Sequence, residues 1–415
     1  MGGKAILFLV VGFSLIFMVA GRNFNNMGLA TTDNLSKYYI QAKAHYIANS
    51  GVNLVVNRLF LDATIPDQTY TWNFDGGTIS AALTTIDPNT KMKQLLSTGT
   101  YSGTSNTIKI TLRPSNFAKF GNYYTQIVSA LPATGDVFDG SFHVNGNLRV
   151  YGSPVFNGKA TSAGSLQQAG PSGAPVFNGG YQSGVNLPRQ FDTTGMRSKA
   201  DKIFRGPSNK GISVQLYFNS DATVTYSTQV QGSSSWSSPV TTALTTIAPN
   251  GRIYVEGGNI YTKGTVNGNV TVTATAKGYS SYGNIYQVDN LKYQDNPITI
   301  PSSNDMLGMI AENNIRIQSN SQTNGKDVVT QASMYAMNGS IGPDDNLATH
   351  QSSLHDWKIL GGLIANDVRV TANYDYSGNP INGLRFRHTF DTRFLLTAPP
   401  GFPDTRSFEV ISWFE

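Results

Sequence analysis

The chain contains no cysteine, which excludes disulfide stapling and thiolate metal sites and leaves stability to topology and packing. Charge is scarce too: 13% of the 415 residues are Asp, Glu, Lys or Arg. The net charge is only +5, and no Lys/Arg-dense patch interleaves with aromatic residues, so nucleic-acid binding finds no support. G-x-S-x-G, H-E-x-x-H and P-loop patterns are all missing. What is abundant is glycine, at 42 residues, with 20 Tyr and 21 Phe. Aromatic residues spread along the whole chain indicate packed structure rather than disorder. The length allows two or three domains, each with a real core.

The longest uncharged run is N-terminal. Ala5 to Gly21, "AILFLVVGFSLIFMVAG", lies between Lys4 and Arg22. As a helix it spans roughly 25 Å, near the lower limit for crossing a bilayer. A cleaved signal peptide would share the basic start, but no A-x-A-like site follows. Apolar residues then recur at helical spacing: Leu35, Tyr39, Ala42, Tyr46, Val52, Val55, Val56 and Leu59. Asp33 is a candidate N-cap, and "NFNNMG" (23–28) is a poor helix former, expected to be a flexible joint.

Beyond "IPDQ" (65–68), "YTWNFDGGTISAAL" and "NTIKITLRP" read as strands of a small antiparallel sheet. From residue 136 a new habit begins: Asn or Asp precedes an aliphatic residue that opens a short alternating strand. Asn147, Asn259, Asn269, Asn284, Asn314 and Asp367 all do this. Short strands with Gly/Asn corners suit stacked rungs, because both residues tolerate positive φ. An antiparallel sandwich with "NG" hairpins is the alternative. Residues 211–247 alternate strictly and read as an inserted antiparallel meander.

"GGKAILFLVVGFSLIFMVAG" followed by "QAKAHYIANSGVNLVVNRL" resembles the start of PilX-type minor pilins of the type IV class. Ala44, Tyr46, Ala48 and Gly51 carry the likeness in its second part. "GSFHVNGNLRVYGSPVFNGKATSA", "PNGRIYVEGG", "NDMLGMIAENNIRI" and the last thirty residues resemble a bacterial family of largely uncharacterised, pilin-headed surface proteins. The resemblance implies prepilin-type processing between Gly3 and Lys4. It also implies assembly through Ala5, Leu7, Phe8, Val11, Leu15, Phe17 and Val19. Phe8 then stands at the fifth mature position, where major pilins carry Glu, which implies a minor or tip subunit.

The expected fold is α+β and mostly β. Residues 1–62 form a transmembrane, pilin-like helix and 63–135 a small sheet. Residues 136–187 and 250–415 form a parallel β-helix or solenoid-like domain, and 188–249 the inserted meander. The expected role is a non-enzymatic filament subunit, held in the inner membrane before assembly and exposed at the cell surface afterwards. Its partners would be copies of itself or other pilin-like subunits, and a pilus or type II secretion-like assembly machinery. A membrane-anchored adhesin that never polymerises is the second reading.

A β-helix carbohydrate-active enzyme is the third, with Asp289, Asp295, Arg316 and Asp367 as the charged residues near the rungs. No cofactor or metal is expected. The histidines are His45, His143, His350, His355 and His388, and "HQSSLHD" (350–356) spaces two of them badly for one helix face. "GPDDN" (342–346) lacks the alternating ligands and closing Glu of a calcium loop.

Overall fold

The computed structural model describes residues 2–88, 91–170, 173–189, 193–207, 210–377 and 379–415. They fall into two compact units, Met1–Ser115 with Arg406–Glu415, and Asn116–Thr405. A long N-terminal helix precedes a mostly β chain, as the sequence implies.

The helix runs unbroken from Gly2 to Leu61, about 90 Å at 1.5 Å per residue. It passes straight through "NFNNMG", the expected joint. Weak helix formers cost only about 1 kcal/mol each at most, and a helix already nucleated on both sides propagates across them. Downstream of this stretch, Thr31 and Thr32 donate their hydroxyls back to the carbonyls of Met27 and Gly28 (2.8 and 3.0 Å).

The buried stripe begins later than the apolar periodicity suggests. Leu35, Tyr39, Ala42 and Tyr46 stay exposed, and Ala44, Ile47, Ala48, Gly51, Val52, Val55 and Leu59 are buried. These follow three- and four-residue steps and face an antiparallel sheet of Gln68–Phe74, Gly77–Asp87, Met92–Tyr101 and Thr104–Asn116. The C-terminal strand Asp404–Phe414 joins this sheet at its edge. The segment 250–415 is therefore divided between the units.

Contact is set by small residues. A Cβ on Gly99 would collide with the backbone of Ala44 and Ala48, and one on Gly51 with Ser97 and Ile79. Ser97, fully buried, donates its hydroxyl to the Ala48 carbonyl at 2.7 Å. Ile47, Val52, Val55 and Leu59 then pack on Ile79, Leu83, Leu95 and Ile110.

The second unit is built from parallel ladders. One sheet contains, in spatial order, Lys202–Arg205, Arg252–Glu256, Asn269–Thr275, Met306–Ala311, Val328–Ala336, Leu354–Ala365, Phe120–Tyr124, Ser141–Val144, Ala160–Ser162 and Tyr181–Gln182. The chain enters this sheet in its middle, at 120–124, and runs outward to 181–182. It restarts at the far end with 202–205 and returns inward until 363–365 pairs with 122–124.

A second parallel set is Ile212–Phe218, Ile260–Val266, Ile285–Tyr293, Ile315–Ile317 and Ile341–Pro343. Val137–Phe138, Val155–Phe156 and Val176–Phe177 make a third. Within 188–249, expected as a separate meander, 202–205 and 212–218 are thus rungs of the parallel ladders. Antiparallel pairing there is confined to Ile212–Phe218, Thr223–Val230 and Val240–Ala243. Strict alternation suits either arrangement, since both bury one strand face.

Like residues stack in register. Val255, Ala274, Ala311 and Ala336 form one buried column. The rings of Phe138, Phe156 and Phe177 form another, with centroids 5.2 and 5.0 Å apart. At one corner the Oδ1 of Asn259 accepts from the backbone N–H of Asn284 (3.0 Å). Asn284 Oδ1 accepts from Asn314 (3.1 Å), and Asn314 Oδ1 from Ser340 (3.1 Å). Gly283, at φ +78, turns the chain just before Asn284. Asn147 repeats the contact by accepting from Ser165 N–H at 3.0 Å. Asn269 begins its strand at another corner, exposed.

Two stability outcomes follow from this packing. Gly99→Leu is expected to cost about 3 kcal/mol or more, because backbone must move to admit the side chain; thermal unfolding of the 2–115 unit, followed by protease release, measures it. Asn284→Ala leaves the half-buried Asn314 N–H without its acceptor and is expected to cost about 1–3 kcal/mol. Asn269→Ala is expected to change stability by less than about 0.5 kcal/mol. Equal shifts in melting temperature for the two would contradict the ladder.

Candidate functional site

Two surfaces stand out. The first is the lower part of the helix. From Gly3 to Lys43 no residue is buried, and this is the helix, among the described residues, that is long and apolar enough to cross a membrane. Gly3, Lys4 and Ala5 are exposed at its start. Leu7, Phe8, Val11, Leu15, Phe17 and Val19 are between 50% and 76% exposed. At about 100° per residue these positions fall on several sides of the helix. A helix apolar all round matches a buried or membrane-spanning environment, not one packed by a single stripe. No acidic residue precedes Asp33, so the Lys4 ammonium has no carboxylate partner within this segment.

The second is a cavity of about 340 Å3 inside the 116–405 unit. It lies where the outgoing and returning halves of the parallel stack meet. There the second ladder is broken. Ile341–Pro343 pairs on one side only, Leu148–Tyr151 pairs with Leu166–Ala169, and single bridges at Ser340–Asp367 and Ala133–Tyr151 span the gap. Segments 129–136 and 368–375 cross the opening. Tyr124, Leu131, Phe138, Trp357, Leu363 and Phe386 supply apolar wall.

Asp136, Arg369, Thr371, Tyr374 and Asp375 supply polar lining. Arg369 is engaged with the Pro343 carbonyl (2.6 Å) and Asp345 (2.8 Å). Asp375 accepts from Asn379 (2.8 and 3.1 Å). Asp136 accepts one backbone N–H, from Ala133 at 2.8 Å, and burial pushes its carboxyl up to about 7. Nothing in the local sequence "LPATGDVF" distinguishes Asp136 from a turn residue; only the seam encloses it.

Three of the four charged residues suggested for carbohydrate chemistry are held by structural partners. Asp367 accepts from Val128 N–H (2.9 Å), Ser129 N–H (3.1 Å) and Ser129 Oγ (2.6 Å), tying down one loop of the seam. Arg316 donates to Asn314 Oδ1 (2.6 Å) and to the Ser340 carbonyl, ending the asparagine ladder. Asp289 accepts from the following N–H at 2.7 Å, and Asp295 lies exposed in a loop. Asp344 of "GPDDN" caps a short helix by accepting from Leu347 N–H at 3.1 Å.

The histidines are dispersed. His45 lies 3.8 Å from Glu415, His143 bonds Thr161 and Asn145 (2.7 and 3.0 Å), and His355 bonds Ser353 at 2.8 Å. His350 faces the Asp345 carbonyl at 3.2 Å. No cluster of three metal-ligating side chains occurs among the described residues.

His388 sits at the seam itself. Its Nδ1 faces the N–H of Asp139 (3.2 Å) and the amide of Asn122 (3.3 Å), and its Nε2 faces the Gly361 carbonyl (3.0 Å). Two donors on Nδ1 and an acceptor at Nε2 suit the neutral Nε2–H tautomer. Burial pushes its pKa down to about 4, against weaker opposing pulls from the Gly361 carbonyl and then the Asp139 carboxylate. The unfolded chain therefore binds this proton first, near pH 6.5. Its stability contribution is complete above pH 6.5 and is lost as pH falls toward 4, on the order of 3 kcal/mol. Urea unfolding between about pH 7 and pH 4 is expected to show this loss as the difference between the two proteins, His388→Gln gaining stability relative to the wild type as pH falls. Asp136 titrates with the opposite sign in both proteins, so the difference isolates His388.

No protein-family model matches the sequence, and no curated protein matches it. Among solved structures, the chain is similar to the competence-associated pilin ComZ from Thermus thermophilus. The two are 14% identical, the match covers 91% of this chain and 97% of that one, and the TM-score is 0.35.

Proposed function

We propose that the chain is a non-enzymatic structural subunit of a type IV pilus-like filament, a minor or divergent pilin of the PilX type. One observation carries this reading: the helix from Gly3 to Lys43 has no buried residue, while the same helix from Ala44 to Leu59 is docked on its own sheet. About four turns of one continuous element are thus completed by the chain, and the apolar run 5–21 at its other end needs a cover from outside. For residues 5–21 that cover is worth on the order of tens of kcal/mol gross, before ordering costs. A bilayer supplies it before assembly, and neighbouring helices supply it afterwards. The subunit in this reading waits in the inner membrane, is cut between Gly3 and Lys4, and enters a filament through Ala5, Leu7, Phe8, Val11, Leu15, Phe17 and Val19. A pilus or type II secretion-like machinery moves it, and the parallel stack, read as a β-helix-like domain, is displayed at the cell surface.

The lack of any carboxylate before Asp33 supports a minor or tip position. An unpaired Lys4 ammonium is costly inside an apolar bundle, and identical neighbours in register offer it no acidic partner from this segment. Val11→Asp puts an unpaired charge among the packed helices and is expected to abolish surface filament while leaving the β-type circular dichroism intact. Electron microscopy of sheared surface material measures the first, and its N-terminal mass, expected to begin at Lys4, reports the processing. Wild-type amounts of filament from the mutant would refute a helix-built core.

A further inference from the structure

The seam cavity has a chemistry of its own, independent of whether the chain polymerises. Protein interiors hold few voids larger than a water molecule, whereas 340 Å3 falls in the range of small-molecule sites. Rings supply much of its wall: Tyr124, Phe138, Trp357, Tyr374 and Phe386, with Tyr151 at its margin. Trp357 Nε1 is already satisfied by Thr330 Oγ1 at 2.9 Å, so that indole offers the cavity only its ring. Among the charged lining residues, Arg369 and Asp375 are matched by partners of their own, as described above. Asp136 is not. Its carboxylate has a single backbone donor, and no cation pairs with it among the described residues. A carboxylate in an aromatic enclosure is complementary to a positive charge, which both the ion pair and the ring faces favour.

We propose that this cavity binds an organic ammonium ion carried on an apolar body, with Asp136 as its counter-ion and the surrounding rings as its wall. An anion is disfavoured by Asp136 and finds Arg369 already engaged. A polyhydroxylated sugar would leave most of its hydroxyls against ring and aliphatic carbon. The groups that titrate or carry charge around Asp136 are Tyr124, Tyr151, Arg369, Tyr374 and Asp375, with Asp367 behind Tyr124. Burial raises the pKa of Tyr124 and of Tyr374, and the charge of Asp136 adds to the shift, so both tyrosines stay neutral through the working range. With Asp136 titrating near 7 in the empty cavity, an arriving ammonium displaces its proton to solvent.

The test is calorimetric titration of the full chain in nanodiscs of zwitterionic lipid, with empty nanodiscs as the blank. The probe is phenethylammonium, and 2-phenylethanol and 3-phenylpropionate are its neutral and anionic counterparts. Phenethylammonium is expected to bind at pH 8 at least about tenfold more tightly than either counterpart. Its affinity should fall about tenfold per pH unit below 7, with proton release seen as buffer-dependent heat at pH 6. Asp136→Asn is expected to weaken it at least about tenfold, one lost charge pairing. If that variant fails to fold, the pH series on the wild-type chain decides alone. Equal binding of the alcohol, preferential binding of the carboxylate, a flat pH profile, or no binding of any probe would overturn the proposal.

Discussion

One helix is covered by the chain along its upper part and left uncovered along its lower part, and the first unit follows from that. Its upper part is covered by the chain's own sheet, and the approach is so close that Gly99 and Gly51 leave no room for a Cβ. Ser97 adds a hydrogen bond to the Ala48 carbonyl inside the contact. This docking holds about four turns of helix rigidly. It leaves the remaining turns, from Lys43 back to Gly3, as a rod with no buried residue, apolar from Ala5 to Gly21. The rod is the physical demand from which the assembly reading starts.

The second unit meets a different constraint. A low-charge chain without cysteine has to stabilise many short strands, none of which stands alone. Parallel registration answers this by letting backbone groups of each strand bond to strands on both sides. It also brings like side chains above like, so that small differences in fit repeat along a column. The Asn259–Asn284–Asn314 corner and the Phe138–Phe156–Phe177 column are two such repeats. Both arms of the chain grow away from or toward one place, the pairing of 120–124 with 363–365. There the repeats stop matching. His388, Asp367 and Asp139 close the seam with specific hydrogen bonds, and the remaining gap becomes the cavity beside Asp136.

Parts of this were readable in the sequence because they depend on local periodicity. An uncharged run between Lys4 and Arg22, helical spacing beyond it, and alternating strands punctuated by Gly and Asn are all short-range patterns. They establish a long helix followed by a mostly β chain. Asn147, Asn259, Asn284 and Asn314 were also visible as openers of short strands, since each stands just before the aliphatic residue that begins one; that their side chains bond the next rung, 18 to 30 residues on, was not. The sequence could not separate Asn269 from that set, because its difference lies in which corner its strand occupies. Nor could it show that the helix continues through 23–28, where cooperative propagation overrides weak propensity.

Only the tertiary structure decided where the apolar periodicity becomes a contact. Leu35, Tyr39 and Tyr46 have the right spacing, yet the buried stripe begins at Ala44; Tyr39 stays exposed and meets the ring of Tyr101 at the sheet's margin, and Tyr46 points away from the docked face. The return of 404–414 to the N-terminal sheet, the recruitment of 202–205 and 212–218 as rungs, and the meeting of 120–124 with 363–365 are pairings across tens to hundreds of residues. A strand's own alternation states that one face is buried, not against which partner. Asp136 is the extreme case: a turn aspartate by sequence, it becomes an enclosed carboxyl only because two distant halves of the stack close around it.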